Sequence, residues 1–414
     1  MSRYQETLEW LYAQLPVFQH TGGQQSSYKL DLKKTEAFME ALGHPYRHFP
    51  AFHVAGTNGK GSTSHMLASC LQAGGYRVGL YTSPHLVSYT ERIRIQGQAI
   101  SEEAVVEFVD QWKPLLVDLR LSFFEMSVGM AYQTFAEAQV DVAVIEVGMG
   151  GRLDSTNIIE PIVTGITTID LDHQAFLGEH RALIAREKAG IFKPGIPAII
   201  GVRDSETEEV FIRHAAETAC PLVWAEETVT DLSPCDLLGD YQASNQRVAR
   251  AMLAAQQQFP LSEATIQEGL RHVASSTGLQ GRWQVVQEGP LAIFDTAHNP
   301  QGLRATMRQF MRLGKGKMHI VLGMVGDKDV RSALDCLPQD ARYYFCAPSI
   351  PRALPVHELQ ENAEAKGFQG EAYDSVAQAW LAALAKANKE DRIYLGGSTF
   401  VVADALGYLH EVQA

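Results

Sequence analysis

An α/β protein of two domains is the fold class this sequence predicts, and three observations predict it. Apolar runs of strand length alternate with amphipathic runs of helix length from residue 52 onwards. One run, VDVAVIEVG at 140–148, is apolar almost without interruption, as a parallel strand covered on both faces must be. A second strand–helix series begins near residue 285, after STGLQGRW at 276–283, which reads as a linker. Alternation of this kind gives a doubly wound sheet. The 414 residues agree, since roughly 100–200 residues per domain allow two or three domains.

The elements follow in order. ETLEWLYAQL (6–15) has helical spacing and is expected to pack on the main domain, while QHTGGQQSSYKL (19–30) is polar and reads as a loop. LKKTEAFMEALG (32–43) is an amphipathic helix stopped by Gly43 and Pro45. FHVA (52–55) is a short strand; a glycine loop follows, then the helix TSHMLASCLQAGG (63–75). RVGLYT (77–82), the run 140–148, IVTGITTI (162–169) and IPAII (196–200) are further strands. The second series has strands LAIFD (291–295), MHIVLG (318–323), RYYFCA (342–347) and RIYLGG (392–397), with a helix at 375–387. No internal repeat is visible. Ligands of such sheets bind beyond the carboxyl ends of strands, so a cleft between the domains is the expected site.

Composition narrows the function. Hydrophobic residues are 46% of the chain, enough for a full core, and the net charge is −13. An acidic balance argues against a nucleic-acid binder, which needs a basic face. It leaves room for anionic small substrates, because a few lysines and backbone N–H groups can make one pocket positive. The cysteines, Cys70, Cys220, Cys235, Cys336 and Cys346, are widely spaced and form no C-x-x-C. A reduced, cytoplasmic protein without structural zinc is expected. The N-terminus lacks an apolar signal core, and no run of about 18 apolar residues spans a membrane.

AGTNGKGST at 55–63 carries the chemistry. It departs from the phosphate loop G-x-x-x-x-G-K-[ST]: Val54 stands where the first glycine would, and Gly61 follows Lys60. It still lies between a strand and a helix, where glycines turn backbone N–H groups onto phosphate oxygens. Lys60 can reach the β- and γ-phosphates, and Ser62 or Thr63 can meet Mg²⁺. The bland alternative is a tight turn without ligand. Glu146, at the end of the apolar strand, is placed to hold Mg²⁺, and GMGGRLDSTN (148–157) lets backbone approach a ligand. Residues 170–195 add Asp172, His173, Glu187 and Lys188. On the residues alone His173 reads more readily as structural than as a ligand, and Lys188 as a solvated surface lysine. In the second series, Asp295, His298 and Asn299 lie just past a strand end, and Pro300 opens a helix. NKED (388–391) matches a guanine-reading motif but precedes its strand, so it reads as a charged helix end. No G-x-S-x-G and no H-E-x-x-H occurs. Phosphate loop, metal and cleft without a covalent nucleophile suit an enzyme that activates its substrate with ATP.

The sequence GTNGKGS (56–62) resembles the phosphate loop of the ATP-dependent amide ligases that include the Mur ligases and the folylpolyglutamate synthases. YTSPHL (81–86), ERIRI (91–95), FFE (123–125), VIEVGMGGRLDSTN (144–157), LDH…LG (171–178), IAREKAGI (184–191), GRW (281–283), FDTAHNP (294–300) and DKD (327–329) stand in the family order. Over nearly the whole chain the resemblance is to folylpolyglutamate synthase and its bacterial bifunctional form with dihydrofolate synthase.

The resemblance implies an N-terminal P-loop ATPase-like doubly wound domain over 1–282, and a smaller C-terminal Rossmann-like α/β domain over 283–414 that serves glutamate ligation. It implies that Gly56, Thr57, Asn58, Gly59, Lys60, Gly61 and Ser62 bind ATP, with Asn245 near adenine, Arg282 at the γ-phosphate and Asp295 on the nucleotide. Two Mg²⁺ sites are implied, one with Ser83, Glu146 and Ser62, the other with His173 and Lys188. Lys188 would be carbamylated, which turns a repelling cation into an oxygen ligand. Lys60, Lys188, Arg282 and His298 would be catalytic, and Asp154 and His298 would face substrate. The substrates would be dihydropteroate or a reduced folate and L-glutamate, handled by a monomer without nucleic-acid or membrane partners. The motifs are common to both activities of the family, so folylpolyglutamate synthase activity alone stays open beside the bifunctional reading. A Mur-type ligase would need a further N-terminal domain, for which the loop at residue 55 leaves no room. A non-enzymatic ATP-binding module would not need Glu146, His173, Lys188, Asp295 and His298 together.

Overall fold

The computed structural model describes residues 1–14, 31–326 and 330–413. The loop read at 19–30 and the DKD motif at 327–329 lie outside the described residues. The chain forms two units: Met1–His85, Tyr89–Asp236 and Gln242–Leu279 make the first, and Leu86–Ser88, Leu237–Tyr241 and Gln280–Ala414 the second.

The first unit is built on strands β1 (Ala51–Ala55), β2 (Val78–Tyr81), β3 (Ile93–Ile95), β4 (Gln98–Ala99), β5 (Val142–Glu146), β6 (Val163–Ile166), β7 (Ala198–Ile200) and β8 (Leu222–Trp224). They form one sheet in the order β4-β3-β2-β5-β1-β6-β7-β8. From β2 to β8 all pairings are parallel, while β3 and β4 add an antiparallel edge. Every residue of β1, β2, β5 and β6 is buried, which explains their unbroken apolar runs. The connection from β1 runs to β2, beyond β5, whereas β6 lies on the opposite side of β1. The sheet therefore has its topological switch point at β1, the strand that carries the glycine loop.

Helix Lys60–Ala73 is buried continuously from Ser62 to Leu71. It packs against β5 and β2 and against helices Gln242–Ala254 and Glu263–Arg271. It starts three residues before the expected position, because Gly59 adopts a left-handed conformation (φ 93°) and lets Lys60 enter the helix at once. Helices Arg3–Gln14, Lys33–Ala41, Glu102–Asp118 and Phe123–Glu137 contribute to another core, with Leu11, Phe38, Tyr81 and Phe135 at its centre. Ser122 and Glu125 close a reciprocal capping box at the start of the last of these.

The second unit has strands β9 (Gln284–Glu288), β10 (Leu291–Asp295), β11 (Met318–Leu322), β12 (Arg342–Phe345), β13 (Gln369–Ala372) and β14 (Arg392–Gly396). Their order is β13-β12-β11-β14-β10-β9, parallel except for β9. NKED lies between helix Val376–Lys386 and β14, and Asp391 accepts from the N–H groups of Asn388 and Lys317. It is a structural turn. All five cysteines are free thiols. Among the described residues no helix is long and apolar enough to cross a membrane.

Candidate active site

In the first unit the sheet order sets the carboxyl ends of β2, β5, β1 and β6 side by side. The turn after β1 is shaped by two glycines. A Cβ on Gly56 (φ 146°) would fall 1.9 Å from Thr167 Oγ1, and one on Gly59 would fall 2.1 Å from Asn245 Oδ1. Only glycine fits where two strand ends and a helix crowd the loop. Threonines beyond β6 fasten it: Thr57 N–H donates to Thr168 O (2.8 Å), Asn58 N–H to Thr168 Oγ1 (3.1 Å) and Thr167 Oγ1 to Asn58 O (2.6 Å). The helix then opens without a side-chain cap. The N–H groups of its first turn are the unpaired donors that anions seek.

Two lysines converge on this turn. Lys60 Nζ donates to Gly56 O (3.0 Å) and Thr57 O (3.2 Å), and Lys188 Nζ donates to the same Gly56 O (2.8 Å). Lys188 is 4% exposed, so the surface reading does not hold. It comes from helix Arg181–Ala189, against which the 148–157 loop packs: Arg152 N–H donates to Glu187 O, and Asn157 Nδ2 to Gly190 O. Burial first, and then the charge of Lys60, bring Lys188 down from 10.5 to about 7, while Asp172 and Asp154 pull the other way. Lys188 therefore gives up its proton far more readily than an exposed lysine does.

Glu146 ends β5 in a buried position, and its Oε2 accepts from Ser83 N–H (3.1 Å), just beyond β2. Ser62 is buried in the first turn of the helix, and Gln242 Nε2 donates to its hydroxyl (3.2 Å). Gln242 Oε1 in turn accepts from Asn245 Nδ2 (2.8 Å), so the Asn245 amide is oriented against the glycine loop. His173 lies past β6, half-buried and left-handed (φ 51°), at the start of helix Gln174–Leu177.

Asp154 is buried in the 148–157 loop and organises it. It accepts from Met149 N–H (2.9 Å), Thr156 N–H (3.0 Å) and the Thr156 hydroxyl. Burial raises its carboxyl, and those donors oppose the rise. The Thr156 hydroxyl spends its proton on Asp154, so His53 Nε2, 2.9 Å away, must be the donor to Thr156. His53, fully buried in β1, is held neutral, its pKa pushed down to about 3 chiefly by burial.

The second unit offers its own strand end. Asp295 closes β10 and is buried, with Oδ2 taking Tyr241 O–H (2.6 Å) and Trp283 N–H (2.7 Å), and Oδ1 taking Ala297 N–H (2.8 Å). Arg282 donates through one terminal nitrogen to Thr296 Oγ1 and to Gly281 O (3.2 Å). His298 Nδ1 lies 3.0 Å from Thr296 O. Asn299 caps helix Pro300–Arg312 by accepting from Gly302 N–H (2.9 Å).

The structure thus gathers Lys60, Ser62, Ser83, Glu146, Lys188 and Asn245 around adjoining strand ends, and Arg282, Asp295 and His298 around another. Thr167, Thr168, Gln242, His53 and Tyr241 support them and were missed in the sequence. The run TTID just past the β6 core was the visible signal for the threonines. Among the described residues no three His, Cys, Asp or Glu side chains gather to hold a metal. One buried carboxylate with hydroxyls is still a hard oxygen set of the kind Mg²⁺ uses beside phosphates and water.

The description "Mur ligase middle domain" matches residues 54–231, and "Mur ligase, glutamate ligase domain" matches residues 281–399. The dihydrofolate synthase/folylpolyglutamate synthase of Escherichia coli (strain K12) is 39% identical over 371 residues, 86% of this chain and 85% of that protein. Its namesake from Bacillus subtilis (strain 168) is 34% identical over 396 residues, 87% of this chain and 89% of that one. The solved structure of E. coli FolC in complex with DHPP and ADP superposes with a TM-score of 0.88 at 35% identity, covering 100% of this chain and 99% of that one. A bifunctional folylpolyglutamate synthase/dihydrofolate synthase with Mn, AMPPNP and L-glutamate bound gives 0.85 at 33% identity, covering 99% and 98%. The chain belongs to the folylpolyglutamate synthase/dihydrofolate synthase family, the ATP-dependent ligases of the Mur ligase superfamily.

Proposed function

We propose that this protein is bifunctional, joining L-glutamate to the carboxylate of dihydropteroate and to that of a reduced folate at the expense of ATP. The observation that carries the reading is the phosphate turn: an uncapped helix start with Lys60 and Lys188 on one carbonyl. The ligands in the solved relatives, ADP, AMPPNP and L-glutamate, support it.

The substrate carboxylate attacks the γ-phosphorus of ATP, the bond to ADP breaks, and an acyl phosphate forms. The amine of glutamate then attacks the acyl carbon, loses a proton, and phosphate leaves. First-turn N–H groups and the Lys60 ammonium hold the phosphates, and Asn245 meets the adenine. Arg282 neutralises charge that builds on the transferred phosphoryl group, and His298 orients the incoming glutamate. Asp154 meets the acceptor substrate. Ser62, Ser83 and Glu146 would hold one Mg²⁺, and His173 with a carbamate on Lys188 a second; when bound, the metal supplies further positive charge at the phosphate oxygens. The carbamate forms when the free amine of Lys188 attacks CO₂ and a proton leaves.

The test is ADP release with Mg-ATP and L-glutamate, comparing dihydropteroate with tetrahydrofolate as acceptor. Turnover with both is expected. Turnover with tetrahydrofolate alone would reduce the reading to chain extension, and turnover with neither would overturn it.

A further inference from the structure

Arg282 and its neighbours are held by a clasp with Tyr241 at its edge. Asp295 is 2% exposed, and a buried carboxylate stays ionised only where donors replace lost water. Two of its donors are backbone, from Trp283 and Ala297; the third is the Tyr241 hydroxyl at 2.6 Å. The Trp283 N–H belongs to a residue with φ 50°, a left-handed conformation that a bulky side chain adopts only when its surroundings impose it. Arg282 immediately precedes it. The next residue after Asp295, Thr296, donates its N–H to Gly281 O (3.0 Å) and takes the Arg282 guanidinium on its hydroxyl. The same carboxylate thus fixes the backbone next to Arg282, at Trp283, and next to its anchor Thr296, at Ala297. Two contacts hold the guanidinium through one nitrogen, and its remaining N–H donors have no partner among the described residues. That is a cation set in one orientation with its fork open.

We propose that Tyr241 is a positioning residue for the ligase reaction: its hydroxyl holds the Asp295 carboxylate, which sets the Gly281–Trp283 turn and so aims Arg282. The inference rests on the reading of Arg282 as a phosphate contact. Asp295 then serves by holding backbone, and its effect on catalysis passes through Arg282.

The test is a double-mutant cycle on glutamate-dependent ADP release, with Tyr241→Phe, Arg282→Ala and the double variant, and with kcat and the KM for ATP read separately. Tyr241→Phe is expected to lower kcat about tenfold, the effect of losing one hydrogen bond to a charged group, with KM for ATP little changed. The double variant is expected to be no slower than Arg282→Ala alone. Full kcat in Tyr241→Phe, or losses that multiply in the double variant, would overturn the proposal. Wild-type kcat in Arg282→Ala would instead sink the reading of Arg282 itself. Should Tyr241→Phe not fold, 3-fluorotyrosine at position 241 keeps ring and hydroxyl while changing donor strength. A change in kcat that disappears in the Arg282→Ala background supports the clasp, and a change that persists there, or no change, overturns it.

Discussion

The turns after β1 and β10 begin alike and end differently. Each follows a buried parallel strand and leads into a 13- or 14-residue helix. After β1 the helix starts at a left-handed glycine with no side-chain cap. After β10 it starts at Asn299, whose side chain takes the Gly302 N–H, with Pro300 next. An uncapped start leaves its backbone donors for an anion; a capped start has already spent one of them, here the Gly302 N–H, and Pro300 brings none. The first turn can therefore offer main-chain donors and lysines to an anion, while the second offers side chains, His298 of its own and Arg282 from the Gly281–Trp283 turn, which Thr296 holds. The same local architecture presents different groups according to what occupies the N-cap.

Removing Lys60 should produce the largest effect. Lys60→Ala takes a side-chain cation from the uncapped turn, and glutamate-dependent ADP release should fall about 10³-fold. Substantial residual turnover would show that backbone donors suffice, and the comparison would lose its lysine half.

Lys188 sharpens the same side with the opposite sign for stability. Its folded pKa, about 7, is depressed from 10.5. Between those values the unfolded chain binds the extra proton, so stability rises with pH across the window and the penalty is complete below about 7. Lys188→Met should abolish turnover yet stabilise the fold by several kcal/mol at pH 6 in CO₂-free buffer. The gain should shrink towards pH 10. Gly56 O keeps Lys60 as a donor in this variant. Denaturant melts at pH 6 and 9 decide it; equal gains at both would mean that Lys188 is not buried as a charge.

Asn299→Ala should be the mildest. Losing the cap should cost about 1 kcal/mol in a melt and leave kcat within a few-fold. A large drop in turnover with unchanged stability would place Asn299 on substrate and blur the contrast between the two helix starts.

How much of this was legible depended on distance along the chain. The strands of the two series were readable because burial on both faces makes each an apolar run. Of the strands missed, β3, β4 and β8 are two or three residues long, and β9 and β13 are partly exposed and polar, so none carries such a run. Lys60, Ser62 and Glu146 stood out because loop and strand end are local patterns. Lys188 did not, since nothing in its own helix tells that Gly56, 132 residues earlier, supplies its acceptor. His53 was invisible for the same reason, and the TT pair after β6 did not tell which loop it would hold: sheet order alone makes β6 a neighbour of the β1 loop and brings Thr156 to His53.

The second unit is not one stretch of chain. Residues Leu237–Tyr241 belong to it although the helix that follows them does not. Asp240 exchanges contacts with Gln309 and Arg312, Gln309 also reaches Leu238 O, and Tyr241 reaches Asp295. A fragment cut at residue 280 would therefore carry the whole sheet and yet lose a strap over helix Pro300–Arg312 and one donor to its buried acid. Anyone dissecting the protein, or grafting its glutamate-ligase half onto another ATP-binding half, would have to transplant a five-residue patch from upstream with it. For this chain, the unit that folds and the unit that a splice site or a restriction fragment delivers are different objects.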